Sequence, residues 1–159
     1  MYVYPAEHYD YWRKEFPDTA FPFGMFGENL TTEGLLETEV HIGDRFRVGS
    51  AEVQVTQPRI PCFKLEAKFG REDMIERFLA SRRPGFYLAV LREGEVSAGD
   101  GIERIHRDAN RVSVLDIARL YTDNKENLEA LQRAADLESL PEPARQRFRQ
   151  RIEKLAASR

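Results

Sequence analysis

The stretch TEVHIGDRFRVGSAEVQVTQ, residues 38–57, decides the fold class of this chain. Its apolar residues recur at every second position within short runs: Val40 and Ile42, Phe46 and Val48, then Val53 and Val55. A period of two is typical of strands that bury one face. Gly43-Asp44 interrupts the alternation and indicates a turn or bulge. We therefore predict a strand-rich block with strands on both sides of that break.

The segment before this block predicts a strand, a helix and a loop. MYVY (1–4) is typical of the end of a strand, and Pro5 is expected to open a helix over residues 5–16. FPFGMFGENLTTEGL (21–35) contains three glycines and one proline, which predicts a loop with tight turns. Such a loop can present backbone N–H groups to a ligand.

Downstream, helices and strands alternate. Residues 63–70 and 71–85 are predicted helices, the second closed by Gly85, and residues 86–105 return to strand. From residue 111 glycine disappears and three amphipathic helices are predicted, with Ser113 and Asn124 as N-caps and Pro141 in a first turn. We predict an α+β fold: a β-rich domain over residues 1–110, then a three-helix appendage over 111–159 that packs on that domain or on a partner.

The composition excludes some classes of protein. No apolar run approaches the roughly 18–20 residues that cross a bilayer, and the N-terminus lacks the features of a secretory signal. The chain has a single cysteine, so its fold does not depend on a disulfide, and we expect a cytoplasmic protein. The formal net charge of −3 argues against non-specific nucleic-acid binding.

Cys62 has two interpretations. A lone cysteine at a strand end is commonly a small buried hydrophobe. Pro58 and Pro61, however, stiffen its loop, and Arg59 and Lys64 favour the thiolate, the form that binds metal or attacks sulfur. The residues alone leave both interpretations open.

Other motifs are less specific. His8, His41 and His106 have no metal-ligand spacing, and the chain contains no C-x-x-C, G-x-G-x-x-G or Walker A sequence. A Cys–His dyad would need a spatial proximity that sequence does not reveal. The loop residues Asn29 and Thr31 suit an anionic ligand, but taken alone they favour an ordinary capped turn.

Three segments together resemble the MOSC domain, a family named after the C-terminal part of molybdenum cofactor sulfurase. They are FGENLTTEGL (26–35), IGDRFRVGSAEVQVTQPRIPCFKL (42–65) and RPGFYLAVLREGEVSAGDGIE (83–103). The resemblance is closest to the stand-alone bacterial YiiM-like group. Residues 113–155 resemble the three-helix extension of that group. The resemblance implies a β-barrel-like domain that binds the molybdenum–pyranopterin cofactor, molybdopterin.

The resemblance also implies roles for particular residues. Cys62 is expected to ligate molybdenum or to carry sulfur, Asn29 and Thr31 to hold the cofactor, and Arg59 and Arg83 to face its anionic groups. The implied function is reduction of N-hydroxylated compounds, with electrons from a separate reductase because no flavin or iron–sulfur motif is found. A thiolate also suits a soft metal centre.

The resemblance leaves alternatives. Cys62 could carry a persulfide as a sulfur carrier, or the helical appendage could be a DNA-binding module attached to a ligand sensor. Members of the YiiM-like group have a further N-terminal portion, with a His-Gly-Gly segment, that completes the barrel. We therefore expect an open barrel edge covered by homo-oligomerisation, and a truncated, inactive domain is a further possibility.

Overall fold

The computed structural model describes residues 1–158, so Arg159, the last residue of the predicted appendage, lies outside it. The described residues form six strands and six helices. The strands are β1 (Tyr2–Pro5), β2 (Leu30–Thr32), β3 (Arg45–Val48), β4 (Ala51–Pro58), β5 (Phe86–Arg92) and β6 (Ile102–His106). The helices are α1 (Glu7–Glu15), α2 (Phe63–Phe69), α3 (Met74–Ser81), α4 (Val114–Tyr121), α5 (Leu128–Ala135) and α6 (Glu142–Ala157).

The strands form one mixed sheet in the order β2-β1-β5-β4-β3-β6. Strand β1 is parallel to β2, and the other neighbouring pairs are antiparallel. The sheet curls into a half-barrel whose edges are β2 and β6, and three helices follow it. The predicted α+β fold, a barrel-like domain with a three-helix appendage, is confirmed.

Two clusters of buried side chains hold the fold together. The aromatic cluster surrounds α1 and consists of Tyr2, Tyr4, Tyr9, Trp12, Phe16, Phe21, Phe26, Leu65, Met74 and Phe78. The aliphatic cluster lies between the sheet and α4–α6, and it extends from Val3 through Val53 and Ile117 to Phe148. Successive residues of β1 face opposite sides of the sheet, so Tyr2 and Tyr4 enter the first cluster and Val3 the second.

The three-helix appendage packs on the sheet rather than standing apart from it. Ile117 on α4, Leu131 on α5 and Phe148 on α6 are completely buried in the same cluster as Val53 of β4. This placement agrees with the expectation that so small a helical unit needs a neighbour. The division of the chain at residue 110 stays a prediction. None of the helices within residues 1–158 is both long and apolar enough to cross a bilayer.

Two predictions for the N-terminal half of the chain were wrong. Pro5 ends β1 instead of opening the helix, and α1 begins at Glu7, after Ala6 donates its N–H to the Thr32 carbonyl at 2.7 Å. Val40 and Ile42 are buried but belong to no named strand. Their backbone hydrogen bonds go to Val114 and Val112, both at 2.9 Å, so a long-range pairing replaces the predicted strand.

Helix ends show two further differences. Ser113 caps α4 in a capping box, as predicted, but the cap of α5 is Asn127 rather than Asn124. Helix α3 is terminated by its C-cap residue Arg82, which adopts a left-handed conformation with φ of 55°. Gly85 lies beyond that end, and a Cβ there would approach the Val3 carbonyl oxygen to 2.4 Å. Gly85 therefore permits the close approach of β1 to the turn before β5.

Candidate functional site

Cys62 is exposed at the junction between β4 and α2. It is the N-cap residue of α2, with an extended backbone, and its side chain forms no capping hydrogen bond. The helix is fixed by Leu65, which is buried in the aromatic cluster, and by Gly70, whose left-handed conformation ends it. The interpretation of Cys62 as a buried packing residue is therefore wrong for this structure.

Two cations of the Cys62 segment fix the loop that precedes β2. The guanidinium of Arg59 donates to the carbonyl of Phe26 and lies 4.7 Å from the centroid of the Tyr2 ring. The ammonium of Lys68 donates to the carbonyl of Gly24 at 3.2 Å. The predicted ligand loop and the predicted ligand cysteine are thus parts of one connected structure, although they are far apart in sequence.

The carboxylate of Glu28 organises this loop from within. It accepts the N–H groups of Gly24 at 2.9 Å and Phe26 at 3.1 Å, and the hydroxyls of Thr31 and Tyr9. Burial, and then the hydrogen bond to Glu28, raise the pKa of Tyr9 above its usual value. The loop is consequently held in one shape by charge-assisted hydrogen bonds.

Asn29 joins the loop to β1. Its side-chain oxygen accepts the N–H of Tyr2 at 2.7 Å, and its own N–H donates to the Tyr2 carbonyl at 2.8 Å. Asn29 and Thr31 also line an open groove of about 450 Å³ between the sheet edges β2 and β6. The buried hydroxyl of Thr32, at the same groove, has no hydrogen-bond partner among the described residues.

Arg83 lies elsewhere. Its guanidinium is 4.1 Å from the centroid of the Tyr11 ring and donates to the Ser81 carbonyl at 2.7 Å. It lines a second open groove, of about 560 Å³, together with His8 and Glu37. The structure therefore separates Arg83 from Asn29 and Thr31.

The donor groups described above fit the predicted cofactor only in part. The exposed Cys62 thiol fits a soft metal centre whose other ligands come from the cofactor itself. The chain adds no metal cluster of its own: residues 1–158 contain no group of three or more His, Cys, Asp or Glu side chains that could hold an ion. The four predicted anion-binding residues line three separate depressions, with Arg59 at a narrow cleft of about 20 Å³. The described chain thus fits the cofactor at the sulfur but does not form one closed pocket around it.

Sequence reasoning missed a buried acid–base pair. The Nε2 atom of His8 is 2.7 Å from a carboxylate oxygen of Glu37, and both residues are more than nine-tenths buried. The second Glu37 oxygen accepts the N–H of Gly85 at 2.7 Å. His8 was weighed as one of three histidines, but Glu37 lies 29 positions away in a turn and gave no signal. His41 instead lies near the buried Asp44, with 3.4 Å between Nδ1 and Oδ2.

Comparison with known proteins places these features in a family. The MOSC domain family matches residues 1–103, and the YiiM-like, 3-alpha helix domain family matches residues 112–155. The uncharacterized protein YflK of Bacillus subtilis is 42% identical over 96% of this chain and 69% of its own length. Protein YiiM of Escherichia coli is 44% identical over 65% of this chain and 47% of its own length.

A more distant relative and a solved structure are also similar to this chain. A protein of Gibberella moniliformis named as a reductase is 31% identical over 86% of this chain and only 25% of its own length. The crystal structure of YiiM from Geobacillus stearothermophilus superposes with a TM-score of 0.92 at 34% identity, covering 96% of this chain and 77% of that one. The chain therefore belongs to the MOSC domain family, which is associated with molybdenum-cofactor proteins, and a YiiM-like three-helix domain follows its MOSC domain.

Proposed function

We propose that this chain binds the molybdenum–pyranopterin cofactor and reduces N-hydroxylated compounds with electrons from a separate reductase. The observation that carries the proposal is the exposed thiol of Cys62, the N-cap residue of a helix that packs on the aromatic cluster beside a rigidly held loop. Membership of a molybdenum-cofactor-associated family supports it, and so does the relative that is named as a reductase. The electron donor and self-association of the chain are parts of the same proposal.

Four of the five predicted residues have a definite part in this proposal, and Arg83, which lies in another groove, has none. Cys62 would donate its thiolate sulfur to the metal, since a soft thiolate suits such a centre. Arg59 would act through the loop, because its guanidinium already fixes the Phe26 carbonyl and lies on Tyr2. Asn29 and Thr31, at the edge of the groove beside β2, would contact polar groups of the cofactor.

The proposed reaction needs electrons and protons from outside the chain. Reduction of R–NH–OH to R–NH₂ and water breaks the N–O bond and consumes two electrons and two protons. The reductase supplies the electrons and solvent supplies the protons. When bound, the cofactor provides the two-electron redox step. The protein binds the cofactor at Cys62 and keeps its loop in place through Glu28 and Arg59.

The decisive experiment compares three proteins made in a host that synthesises the cofactor. The wild type is expected to contain molybdenum and to reduce an aromatic N-hydroxylamine with reduced viologen as donor. Cys62→Ser is expected to lose the activity. Phe63→Ala, which changes the neighbouring side chain that is 70% exposed, is expected to keep it. A wild type without molybdenum, or equal activities in wild type and Cys62→Ser, would show the proposal to be wrong.

A second candidate function, sulfur transfer, is favoured by the same exposed sulfur. The Cys62 thiolate would attack the outer sulfur of a persulfide on a cysteine desulfurase, forming Cys62–S–SH and releasing the donor thiolate. Mass spectrometry after incubation with a desulfurase and cysteine would then show a gain of about 32 Da, one sulfur atom, on the Cys62 peptide. An unchanged peptide mass would eliminate this function.

A further inference from the structure

We propose that the groove lined by His8, Glu37, Lys14 and Arg83 is a binding site for a small oxyanion, in which His8 exchanges a proton with the ligand. The site is separate from Cys62 and does not depend on the proposed cofactor. The groove has a volume of about 560 Å³ and is formed by α1, the turn around residues 36–38 and the turn around residues 81–83. That volume is in the range of small-ligand sites.

The buried pair gives the groove a fixed acid–base group. Glu37 is held at both oxygens, by His8 Nε2 and by the Gly85 N–H, each at 2.7 Å. An ionised Glu37 makes Nε2 the protonated nitrogen of a neutral His8. The other nitrogen, Nδ1, has no hydrogen bond within residues 1–158, and it is not sealed from the surroundings. It is therefore the atom through which His8 can act on a ligand.

The carboxylates of the groove already accept hydrogen bonds or form ion pairs within the protein, so they do not compete with a ligand for the free cationic donors of the groove. Glu7 accepts the N–H of Gly34 at 2.6 Å, and Asp10 pairs with Arg13 at 3.0 Å. Both oxygens of Glu37 already accept the hydrogen bonds given above. The acidic side chains of the groove thus have partners within the protein.

The cations, in contrast, keep unused donors. Lys14 has no ion-pair or hydrogen-bond partner in the part of the chain that the structure describes. Arg83 uses one terminal nitrogen for the Ser81 carbonyl and lies over the Tyr11 ring, and its other guanidinium N–H groups have no hydrogen-bond partner within residues 1–158. Arg82, the third cation of the groove, is paired with Asp123. Arg83 and Lys14 therefore supply donors, and a planar guanidinium suits a phosphate or carboxylate.

These contacts identify the class of ligand. A dihydrogen phosphate ion or a protonated carboxylate carries both acceptor oxygens for Lys14 and Arg83 and an acidic proton for Nδ1 of His8. Transfer of that proton to Nδ1 leaves a dianion or carboxylate beside an imidazolium, whose charge is balanced by Glu37. No other reactant is needed, since the only change is the position of one proton.

The test uses the whole chain with inorganic phosphate as the probe. Titration of ¹⁵N-labelled protein is expected to shift the His8 ring resonances in a saturable way. Lys14→Met and Arg83→Met are each expected to weaken binding about tenfold, the loss of one charge-assisted hydrogen bond. Arg147→Met, on the exposed face of α6, is the matched control and is expected to bind as the wild type does.

The outcomes separate a ligand site from a purely structural pair. Glu37→Gln is expected to keep phosphate binding measurable but to abolish the proton transfer, seen as loss of the imidazolium signature in the bound state. If Glu37→Gln fails to fold, Lys14→Met and Arg83→Met still test phosphate binding to the groove, because each substitution removes a cation near the surface. Unshifted His8 resonances, or equal affinities in Arg83→Met and Arg147→Met, would overturn the proposal.

Discussion

The aromatic and aliphatic clusters lie on opposite faces of β1, and they differ in chemistry as well as position. The aromatic cluster contains polar atoms that pair inside it: Trp12 Nε1 donates to the Tyr4 hydroxyl, and the Tyr2 hydroxyl donates to the Pro84 carbonyl, each at 2.7 Å. The aliphatic cluster consists of hydrocarbon side chains from the sheet and from α4–α6. One cluster therefore has directional contacts, while the other is held by burial alone.

This difference follows the position of the candidate site. Phe26, Leu65 and Phe78, which support the ligand loop, α2 and α3, all belong to the aromatic cluster. Rings in tilted and edge contacts define their neighbours more narrowly than methyl groups do. We infer that the aromatic cluster positions Cys62 and its loop, while the aliphatic cluster stabilises the whole fold.

The largest effect is expected from the aliphatic cluster. Phe148→Ala should lower the free energy of unfolding by about 3–5 kcal/mol, the usual cost of removing a buried phenyl ring. Because Phe148 shares its cluster with the sheet, the chain should still unfold in one transition. Denaturant unfolding followed by circular dichroism measures both. Phe63→Ala, at an exposed position, is the control, and a separate early transition of the appendage would show that it folds independently of the sheet.

A smaller and local effect is expected at the loop. Glu28→Gln should cost about 1–3 kcal/mol, because it weakens the charge-assisted bonds to the N–H groups of Gly24 and Phe26. Hydrogen exchange should accelerate in residues 24–29 and stay unchanged in α6. Equal acceleration in both places would show that the loop is not held independently of the aliphatic cluster.

Alkaline pH should distinguish the two clusters. Burial raises the pKa of Tyr2, Tyr4 and Tyr9 above the usual value near 10, and it also raises the pKa of Tyr121 beside the aliphatic cluster. Unfolded tyrosines release protons above that pH while the folded ones retain them. Stability is therefore fully present below about pH 10 and falls above it, by about 1.4 kcal/mol per pH unit for a fully buried tyrosine and by less for the partly exposed Tyr121.

The measurement is the free energy of unfolding between pH 8 and pH 11 for three proteins. Tyr9→Phe should make the fall shallower than in the wild type. Tyr121→Phe, which removes the tyrosine beside the aliphatic cluster, should make the fall in the free energy of unfolding shallower by a smaller amount. A larger change in Tyr121→Phe than in Tyr9→Phe would reverse the assignment.

The smallest effect is expected at a helix cap. Ser113 accepts the N–H of Asp116 at 3.0 Å in the capping box of α4. Ser113→Ala should lower stability by about 1 kcal/mol. Ser113→Asp, which retains a cap oxygen, should recover most of that loss, and thermal unfolding of both variants provides the measurement. Equal stability of the alanine variant and the wild type would refute the role of the cap.

The sequence predicted local features better than long-range ones. Strict alternation marked β3 and β4, and the predicted helix over residues 63–70 placed Cys62 at the junction of a strand and a helix. Val40 and Ile42 show the same alternation without a named strand, because their antiparallel pairing with residues 112–114 is an isolated bridge between His41 and Ser113. The period of the apolar residues indicates which side chains are buried. Hydrogen-bond partners far along the chain decide whether those residues form a strand.

The candidate site was predictable in its residue types but not in its arrangement. The loop around Asn29 and the Cys62 segment are joined by Arg59 and Lys68, a contact that only folding creates. Arg83, assigned to the same ligand by sequence, instead faces the groove of the His8–Glu37 pair. A pair separated by 29 positions has no periodic or motif signal from which to predict it.

The central claim is that the sulfur of Cys62 is a ligand of molybdenum, and X-ray absorption at the molybdenum edge tests it most directly. Wild type and Cys62→Ser, both loaded in a cofactor-competent host, would be compared for the number of sulfur atoms bonded to the metal. We expect one sulfur fewer in Cys62→Ser, replaced by oxygen. The same sulfur count in both proteins, or no molybdenum in the wild type, would contradict it.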